Sequence, residues 1–166
     1  MRLKQGCSGL WLALLAAAAD RVTKALALAR WEARNPFLSV TFDPLIPGVL
    51  NLTLARNTGV AFSGLAGGGA AVIALTALLI AGLLFYLLAR PNAPRLARAG
   101  LWLIVGGGLG NLYDRLRFGY VIDFIELAFV RFAVFNVADV CVCLGAALTF
   151  LGVMLSEGRE RRGHGQ

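Results

Sequence analysis

One charged residue, Asp139, interrupts the 25-residue stretch FAVFNVADVCVCLGAALTFLGVMLS at positions 132–156, between Arg131 and Glu157. The stretch is long enough to cross the roughly 30 Å hydrocarbon core of a bilayer as a helix. A carboxylate in or beside hydrocarbon costs roughly 2.5 to 3.5 kcal/mol on insertion scales, and such groups mark functional sites. A second aspartate, Asp123, lies in the mostly apolar segment GYVIDFIEL. The two aspartates are therefore candidate functional residues of a membrane protein.

The composition supports this class. The chain has 166 residues, of which 58% are hydrophobic, whereas soluble domains are about 45–50% apolar. Arg56 and Arg90 enclose 33 uncharged residues, more than one helical span requires. We predict an all-α membrane protein with four transmembrane helices, forming a single domain over residues 1–166. The predicted spans are approximately 10–29, 70–89, 97–112 and 136–155.

Two of these spans have distinctive sequences. The opening MRLKQGCSGLWLALLAAAAD resembles a secretory signal peptide. The Leu/Ala pattern resumes as ALALA after Lys24 and completes a full span, so we predict a retained helix. The third span is rich in glycine, and its Gly106 and Gly110 form a small-xxx-small pair that permits close helix approach.

The net charge of +7 comes from basic residues clustered near the ends of the spans. In this context they are typical of topology signals and of contacts with membrane lipid rather than with nucleic acid. The distribution of Lys and Arg predicts that both termini are cytoplasmic. Residues 30–68 and 113–134 would then lie on the outer side.

The two outer segments have different patterns. FLSVTF and LNLTLARN alternate polar and apolar residues around the Pro47–Gly48 turn, which predicts a small extracytoplasmic β-cradle at about 38–62. The second segment, YDRLRFGYVIDFIELAFVRF, is too polar to span, and we predict an interfacial helical segment there.

Polar residues converge at the outer rim of the predicted bundle. They follow the third span, lie in the second outer segment or open the fourth span: Asn111, Asp114, Arg115, Asp123, Asn136 and Asp139. Asn136 and Asp139 are three residues apart and share one helix face. The convergence favours a functional site over scattered polar residues.

Two adjacent carboxyl groups are the minimal machinery of an aspartic protease. They cannot both ionise cheaply, so the pKa of one is raised and the pair supplies a base and an acid together. The residues alone leave either Asp123 or Asp114 as the partner of Asp139. Asp114 could instead form an interfacial ion pair with Arg115, and Asp139 could be a buried ion-pair partner. Asp20 is either a site residue or part of a salt bridge with its basic neighbours at the end of the first span.

Other protease chemistries find fewer suitable residues. The single histidine, His164, is in the polar tail, so we expect no serine–histidine pair, no zinc site and no cofactor. Serine–lysine catalysis would depend on Lys24, with Ser39 or Ser63 as nucleophile. The two cysteines of the fourth span have no nearby base.

Four segments resemble the signature blocks of lipoprotein signal peptidase, also called signal peptidase II. The segments are DRVTK at 20–24, NTGVAFS at 57–63, GNLYDRLRFGYVIDF at 110–124 and FNVAD at 135–139. They occur in the order of the family and cover nearly the whole chain. The differences from the family pattern are small: Arg21 stands where the family often has Gln.

The resemblance implies a bacterial inner-membrane aspartic endopeptidase. Its substrates would be prolipoproteins whose lipobox cysteine already carries diacylglycerol, cut just before that cysteine. The catalytic pair would be Asp123 and Asp139. Supporting or substrate-binding roles would fall on Asp20, Asn57, Asn111, Asp114, Arg115 and Asn136. The resemblance also implies the β-cradle and inhibition by globomycin-type peptides, and we expect a monomer because one chain carries the whole site.

Two other functional classes compete with the protease. Intramembrane acids also occur in proton-coupled transporters, where they lie near the bilayer midplane. In an assembly protein without enzymatic activity, the same acids would serve only as ion-pair partners. The predicted position of the acids at one rim, beside a small sheet, favours the protease.

Overall fold

The computed structural model describes residues 8–34, 43–59 and 68–163, which form four long helices and three short strands. The helices are α1 (Leu10–Arg34), α2 (Gly68–Ala89), α3 (Arg95–Phe118) and α4 (Val137–Gly163). The strands are β1 (Asp43–Ile46), β2 (Leu50–Asn57) and β3 (Val121–Leu127). The four predicted helices are thus present, and three of them continue beyond the predicted spans: α1 to Arg34, α3 to Phe118 and α4 to Gly163.

Two of the helices are long and apolar enough to cross a membrane, Gly69–Ala89 within α2 and Val137–Gly158 within α4. These criteria concern length and composition only. Helices α1 and α3 contain several charged residues, and a membrane crossing by either of them stays a prediction.

Helix α3 is the centre of the bundle and packs against the other three helices. Its glycines allow this packing. A Cβ atom added at Gly106 would lie 2.5 Å from the carbonyl oxygen of Ala13, and one added at Gly110 would lie 2.5 Å from Oδ2 of Asp20. The prediction that these two glycines permit close helix approach is confirmed, and the approach is between α3 and α1.

The three strands form one antiparallel sheet in the order β1-β2-β3. Strands β1 and β2 are joined by a turn in which Gly48 has a φ of 74°, a left-handed conformation that suits glycine. Both strands lie within the predicted cradle; its residues 38–42 and 60–62 lie outside the described residues. The sheet packs on the end of α1 through an apolar cluster of Ala27, Trp31 and Phe124.

The prediction of an interfacial helical segment at 113–134 is wrong. Residues up to Phe118 continue α3, and Gly119, with a φ of 80°, ends that helix by donating its N–H to the carbonyl of Arg115. The chain then forms β3, which pairs along its length with β2. The run VIDFIEL contains β-branched and aromatic residues that suit a strand, and the partner that stabilises it is more than 60 residues earlier in the sequence.

Candidate active site

The N-terminus of α4 is closed by a reciprocal pair of hydrogen bonds between Asn136 and Asp139. The backbone N–H of Asp139 donates to Oδ1 of Asn136 at 3.0 Å, and the backbone N–H of Asn136 donates to Oδ2 of Asp139 at 3.2 Å. This is the geometry of a capping box. It holds the Asp139 carboxylate in the first turn of α4, where the helix dipole favours negative charge.

Asp123 lies on β3 and is almost completely buried, with 1% of its surface exposed. Its Oδ1 accepts a hydrogen bond from Nδ2 of Asn136 at 2.7 Å, and its Oδ2 accepts one from Nδ2 of Asn57 at 2.9 Å. Asn136 therefore contacts both aspartates, Asp123 through its side chain and Asp139 through its backbone. The structure brings the two predicted catalytic carboxyls into contact with the same residue.

Burial raises the pKa of Asp123 to about 6. The hydrogen bond from Asn57 opposes this shift, the negative charge of Asp139 adds to it, and the hydrogen bond from Asn136 and the charge of Lys24 oppose it further. Burial acts because a carboxylate loses hydration that the two amides replace only in part. The Asp123 carboxyl can therefore take up or release a proton close to neutral pH.

Asn111, on α3, is the second amide that organises the site. Its Oδ1 accepts hydrogen bonds from Nζ of Lys24 and from Nδ2 of Asn136, both at 3.1 Å. Its Nδ2 donates to Oδ1 of Asp139 at 2.8 Å. Because the oxygen faces two donors, the amide has one favourable orientation, and that orientation directs the NH₂ group to the Asp139 carboxylate.

Behind Asn111 and Asn136 lies a cluster of four charged side chains: Asp20, Lys24 and Asp114, which are buried, and Arg21, whose side chain is 29% exposed. Lys24 is 1% exposed, and its Nζ lies 2.9 Å from Oδ2 of Asp20 and 2.8 Å from Oδ2 of Asp114. Nη2 of Arg21 lies 2.7 Å from the other carboxylate oxygen of Asp114. Two acidic and two basic groups make the cluster formally neutral, as burial in a low dielectric requires.

The cluster also holds the backbone that carries the site. Oδ1 of Asp20 accepts the N–H of Ala138, in the first turn of α4, at 3.1 Å. Oδ2 of Asp114 accepts the N–H of Ile122, next to Asp123, at 3.2 Å. Asp20 and Asp114 thus fix the segments that present Asp139 and Asp123.

Lys24 was not among the site residues predicted from the sequence, whereas Asp20 was. The Asp20–Lys24 spacing of four residues on one helix face was the available signal. The contact between Lys24 and Asn111 joins residues 87 positions apart, and no local pattern indicates it.

Arg115 is less directly connected to the two aspartates than the sequence analysis predicted. Its Nη1 donates to the backbone carbonyl of Asn111 at a long 3.5 Å. Among the described residues, its guanidinium makes no hydrogen bond with Asp123 or Asp139. All the other predicted site residues contribute to the network around the two carboxyls.

Comparison with known proteins places this chain in a family. Residues 12–155 match the family model of signal peptidase (SPase) II. The chain is 40% identical to a lipoprotein signal peptidase of Gloeobacter violaceus, over 90% of this chain and 83% of that protein. It is 39% identical to a lipoprotein signal peptidase of Symbiobacterium thermophilum, over 88% of this chain and 93% of that protein.

The fold is also similar to a solved structure. The match is a bacterial membrane enzyme determined by the in meso method at 2.3 Å resolution. Its TM-score is 0.77 at 24% identity, and the alignment covers 92% of this chain and 90% of that one. With the family match over most of its length, the chain belongs to the signal peptidase II family of proteases.

Proposed function

We propose that this protein removes signal peptides from diacylglyceryl-modified prolipoproteins by cutting before the lipidated cysteine, with Asp123 and Asp139 as its catalytic pair. The observation that carries the proposal is the position of Asn136, which donates one hydrogen bond to each of the two carboxyls. The similarity to the lipoprotein signal peptidases of Gloeobacter violaceus and Symbiobacterium thermophilum also supports it.

In the proposed reaction one carboxylate accepts a proton from water, and the water oxygen adds to the carbonyl carbon of the scissile peptide. The other carboxyl, which is protonated, donates its proton to the carbonyl oxygen. The tetrahedral intermediate then collapses: the carboxyl that took the water proton gives it to the amine nitrogen of the departing cysteine, and the other carboxylate takes back a proton from a hydroxyl of the intermediate, which restores the starting state of the pair. The two carboxyls hold one proton between them at the start of the cycle, which is the state that aspartic proteases use.

The surroundings of the two aspartates support different roles for them. The raised pKa of Asp123 suits the acid that holds the shared proton. Asp139 accepts hydrogen bonds from Nδ2 of Asn111 and from the N–H of Asn136. Asp139 also lies in the first turn of α4, where the helix dipole favours a negative charge, and this suits the base that activates water.

We further propose that all four helices cross the inner membrane of a bacterium, with both termini in the cytoplasm. The sheet and the site then lie at the outer face, where a diacylglyceryl cysteine would be held by its acyl chains. Helices α2 and α4 have an apolar outer surface that suits lipid. It includes the exposed side chains of Leu78 and Phe85 on α2 and of Leu144 and Phe150 on α4. Arg95, at the opposite end of α3 from the site, agrees with a cytoplasmic position.

The other predicted site residues have supporting roles in this proposal. Asn57, Asn111 and Asn136 orient the two carboxyls, and Asp20 and Asp114 hold the backbone behind them. Arg115 lies at the same end of α3 and is available for the substrate backbone. One chain carries the whole arrangement, so the active form is a monomer, and a globomycin-type peptide would inhibit it by covering the two aspartates.

The test follows the mobility of a diacylglyceryl-modified prolipoprotein on a gel, with the full chain purified in detergent. Asp123→Asn and Asp139→Asn should each abolish processing while the protein remains folded. Glu157→Gln is the matched control, because Glu157 is an exposed carboxylate on the same helix as Asp139. Processing at the wild-type rate by either asparagine variant would refute the catalytic assignment, and equal processing of substrate without the lipid would refute the substrate class.

A further inference from the structure

Strand β2 contains an irregularity between Leu52 and Ala55. Leu52 pairs with Ile125, and Ala55 pairs with Asp123. Between these two pairs the chain advances by three residues along β2 but by only two along β3. One extra residue is therefore inserted in β2, which is a β-bulge.

The bulge decides which face of the sheet Asn57 occupies. Side chains alternate along a strand, and residues directly opposite in an antiparallel pair share a face. With the bulge, Asn57 pairs with Val121 and lies on the face of Asp123. A regular ladder continued from Leu52 would pair Leu54 with Asp123, and Asn57 would point to the other face. The 2.9 Å bond from Asn57 to Asp123 could not then form.

A hydrogen bond across the sheet holds the bulge. Oγ1 of Thr53 donates to Oε2 of Glu126 at 2.6 Å. Thr53 comes directly after Leu52, where the bulge begins, and its surface is 6% exposed. A hydroxyl that donates to a carboxylate at this distance makes one of the stronger hydrogen bonds in proteins. It ties the irregular part of β2 to the strand that carries Asp123.

We propose that Thr53 and Glu126 are positioning residues, which fix the bulge that turns Asn57 toward Asp123. The inference rests on the proposed catalytic role of Asp123. Neither residue faces the reacting groups, and both act through Asn57. Glu126 lies three residues beyond Asp123 on β3, so a carboxylate on the opposite face of the strand controls the environment of the proposed catalytic one.

The consequence is a change in how activity depends on pH. The bond from Asn57 lowers the pKa of Asp123, so its loss raises that pKa. The other charged groups around Asp123 are Asp139 on α4 and Lys24 on α1, and Asp114 on α3 is paired with Lys24. All three are unchanged by a substitution at Thr53, so the direction of the shift follows from Asn57 alone.

The experiment measures kcat/KM against pH for the full chain in detergent with a lipidated prolipoprotein, together with the thermal midpoint. Thr53→Val and Glu126→Asp should move the alkaline limb upward by about one pH unit, the effect of losing one hydrogen bond to a carboxylate. Thr53→Ser, which restores the hydroxyl, should return the limb to its wild-type position. Thr76→Val is the matched control, because the Thr76 hydroxyl bonds only its own helix, at the carbonyl of Val72.

A cycle with Asn57→Ala tests the route of the effect. If Thr53 acts through Asn57, Thr53→Val should add no further shift in an Asn57→Ala background. A lowered thermal midpoint with an unmoved alkaline limb would show that Thr53 and Glu126 only stabilise the sheet, and would overturn the proposal. If Thr53→Val does not fold, Glu126→Asp provides the same test. Its side chain is one methylene shorter, so the carboxylate moves away from the Thr53 hydroxyl while its charge is kept.

The variants Asp123→Asn and Thr53→Val together separate the positioning role of Thr53 from the catalytic role of Asp123. If Asp123→Asn is inactive and Thr53→Val leaves the pH profile unmoved, only the positioning role is wrong. If Asp123→Asn processes substrate normally, the proposed catalytic pair itself is wrong.

Discussion

Lys24→Met tests whether the buried charged cluster supports the fold behind the site. Lys24 contacts two carboxylates, at 2.9 and 2.8 Å, and only 1% of it is exposed. Methionine has a similar length, so the substitution removes the charge with little change in volume. Asp20 and Asp114 would then share one cation, Arg21, whose Nη2 lies 2.7 Å from Asp114 and 3.7 Å from Asp20.

The expected destabilisation is about 3 to 5 kcal/mol, the usual cost of leaving a buried charge without its partner. For a chain of this size, each kcal/mol lowers the thermal midpoint by about 2 to 4 °C, so a fall of roughly 10 °C is expected. The assay is thermal unfolding in detergent, followed by tryptophan fluorescence, since Trp31 and Trp102 are buried. Arg90→Met is the control, because Arg90 is an exposed cation.

A second variant separates charge balance from packing. Lys24→Met leaves the cluster with one excess negative charge, and adding Asp20→Asn restores neutrality while Oδ1 can still accept the N–H of Ala138. The double variant should therefore recover at least half of the lost stability. A thermal midpoint of Lys24→Met within 2 °C of the wild type, on the same scale of about 2 to 4 °C per kcal/mol, would refute the reasoning. So would a double variant that is less stable than the single one.

Three further predictions concern the site itself. The value of kcat/KM should fall about tenfold per pH unit above about 6, because the free enzyme loses the proton of Asp123 there; a flat profile from pH 6 to 8 would contradict this. Gly110→Ala should destabilise the protein by about 1 to 3 kcal/mol, because the new Cβ would collide with Asp20, whereas Gly82→Ala meets open space and should be neutral in the same thermal assay. Asn136→Ala should reduce kcat by about a hundredfold or more, because Asp123 loses the hydrogen bond from Nδ2 and the backbone N–H of Asp139 loses its acceptor. Gel-shift rates within threefold of wild type would exclude that role.

The parts of the fold that could be predicted are those encoded by local composition. The four helices follow from long apolar runs, and the Gly106–Gly110 spacing predicts a close helix approach, although it does not identify α1 as the partner. The capping pair at Asn136 and Asp139 is also local, since its residues are three apart and bond each other. The spacing predicts the shared helix face of these two residues, whereas their reciprocal hydrogen bonds were not predicted.

The parts that could not be predicted depend on partners distant in sequence. VIDFIEL became a strand because β2 offers it an unpaired edge, and the segment by itself fits an interfacial helix almost as well. The bulge that turns Asn57 toward Asp123 is a property of the β2–β3 pairing, which neither strand specifies alone. The bond between Lys24 and Asn111 requires α1 and α3 to meet at the depth that Gly110 permits.

The residues alone left open whether Asp114 or Asp123 is the partner of Asp139, and the groups around the two carboxyls favour Asp123. Asp114 faces an ammonium and a guanidinium group, so protonating it would break two ion pairs, of which the one with Lys24 is buried. Asp123 faces two neutral amides, which can accompany a carboxylate or a carboxylic acid at much smaller cost. A carboxyl that must gain and lose a proton in each cycle needs neighbours of the second kind. The cations stabilise the scaffold through Asp20 and Asp114, and the amides leave Asp123 free to exchange a proton, which supports Asp123 as the proposed partner of Asp139.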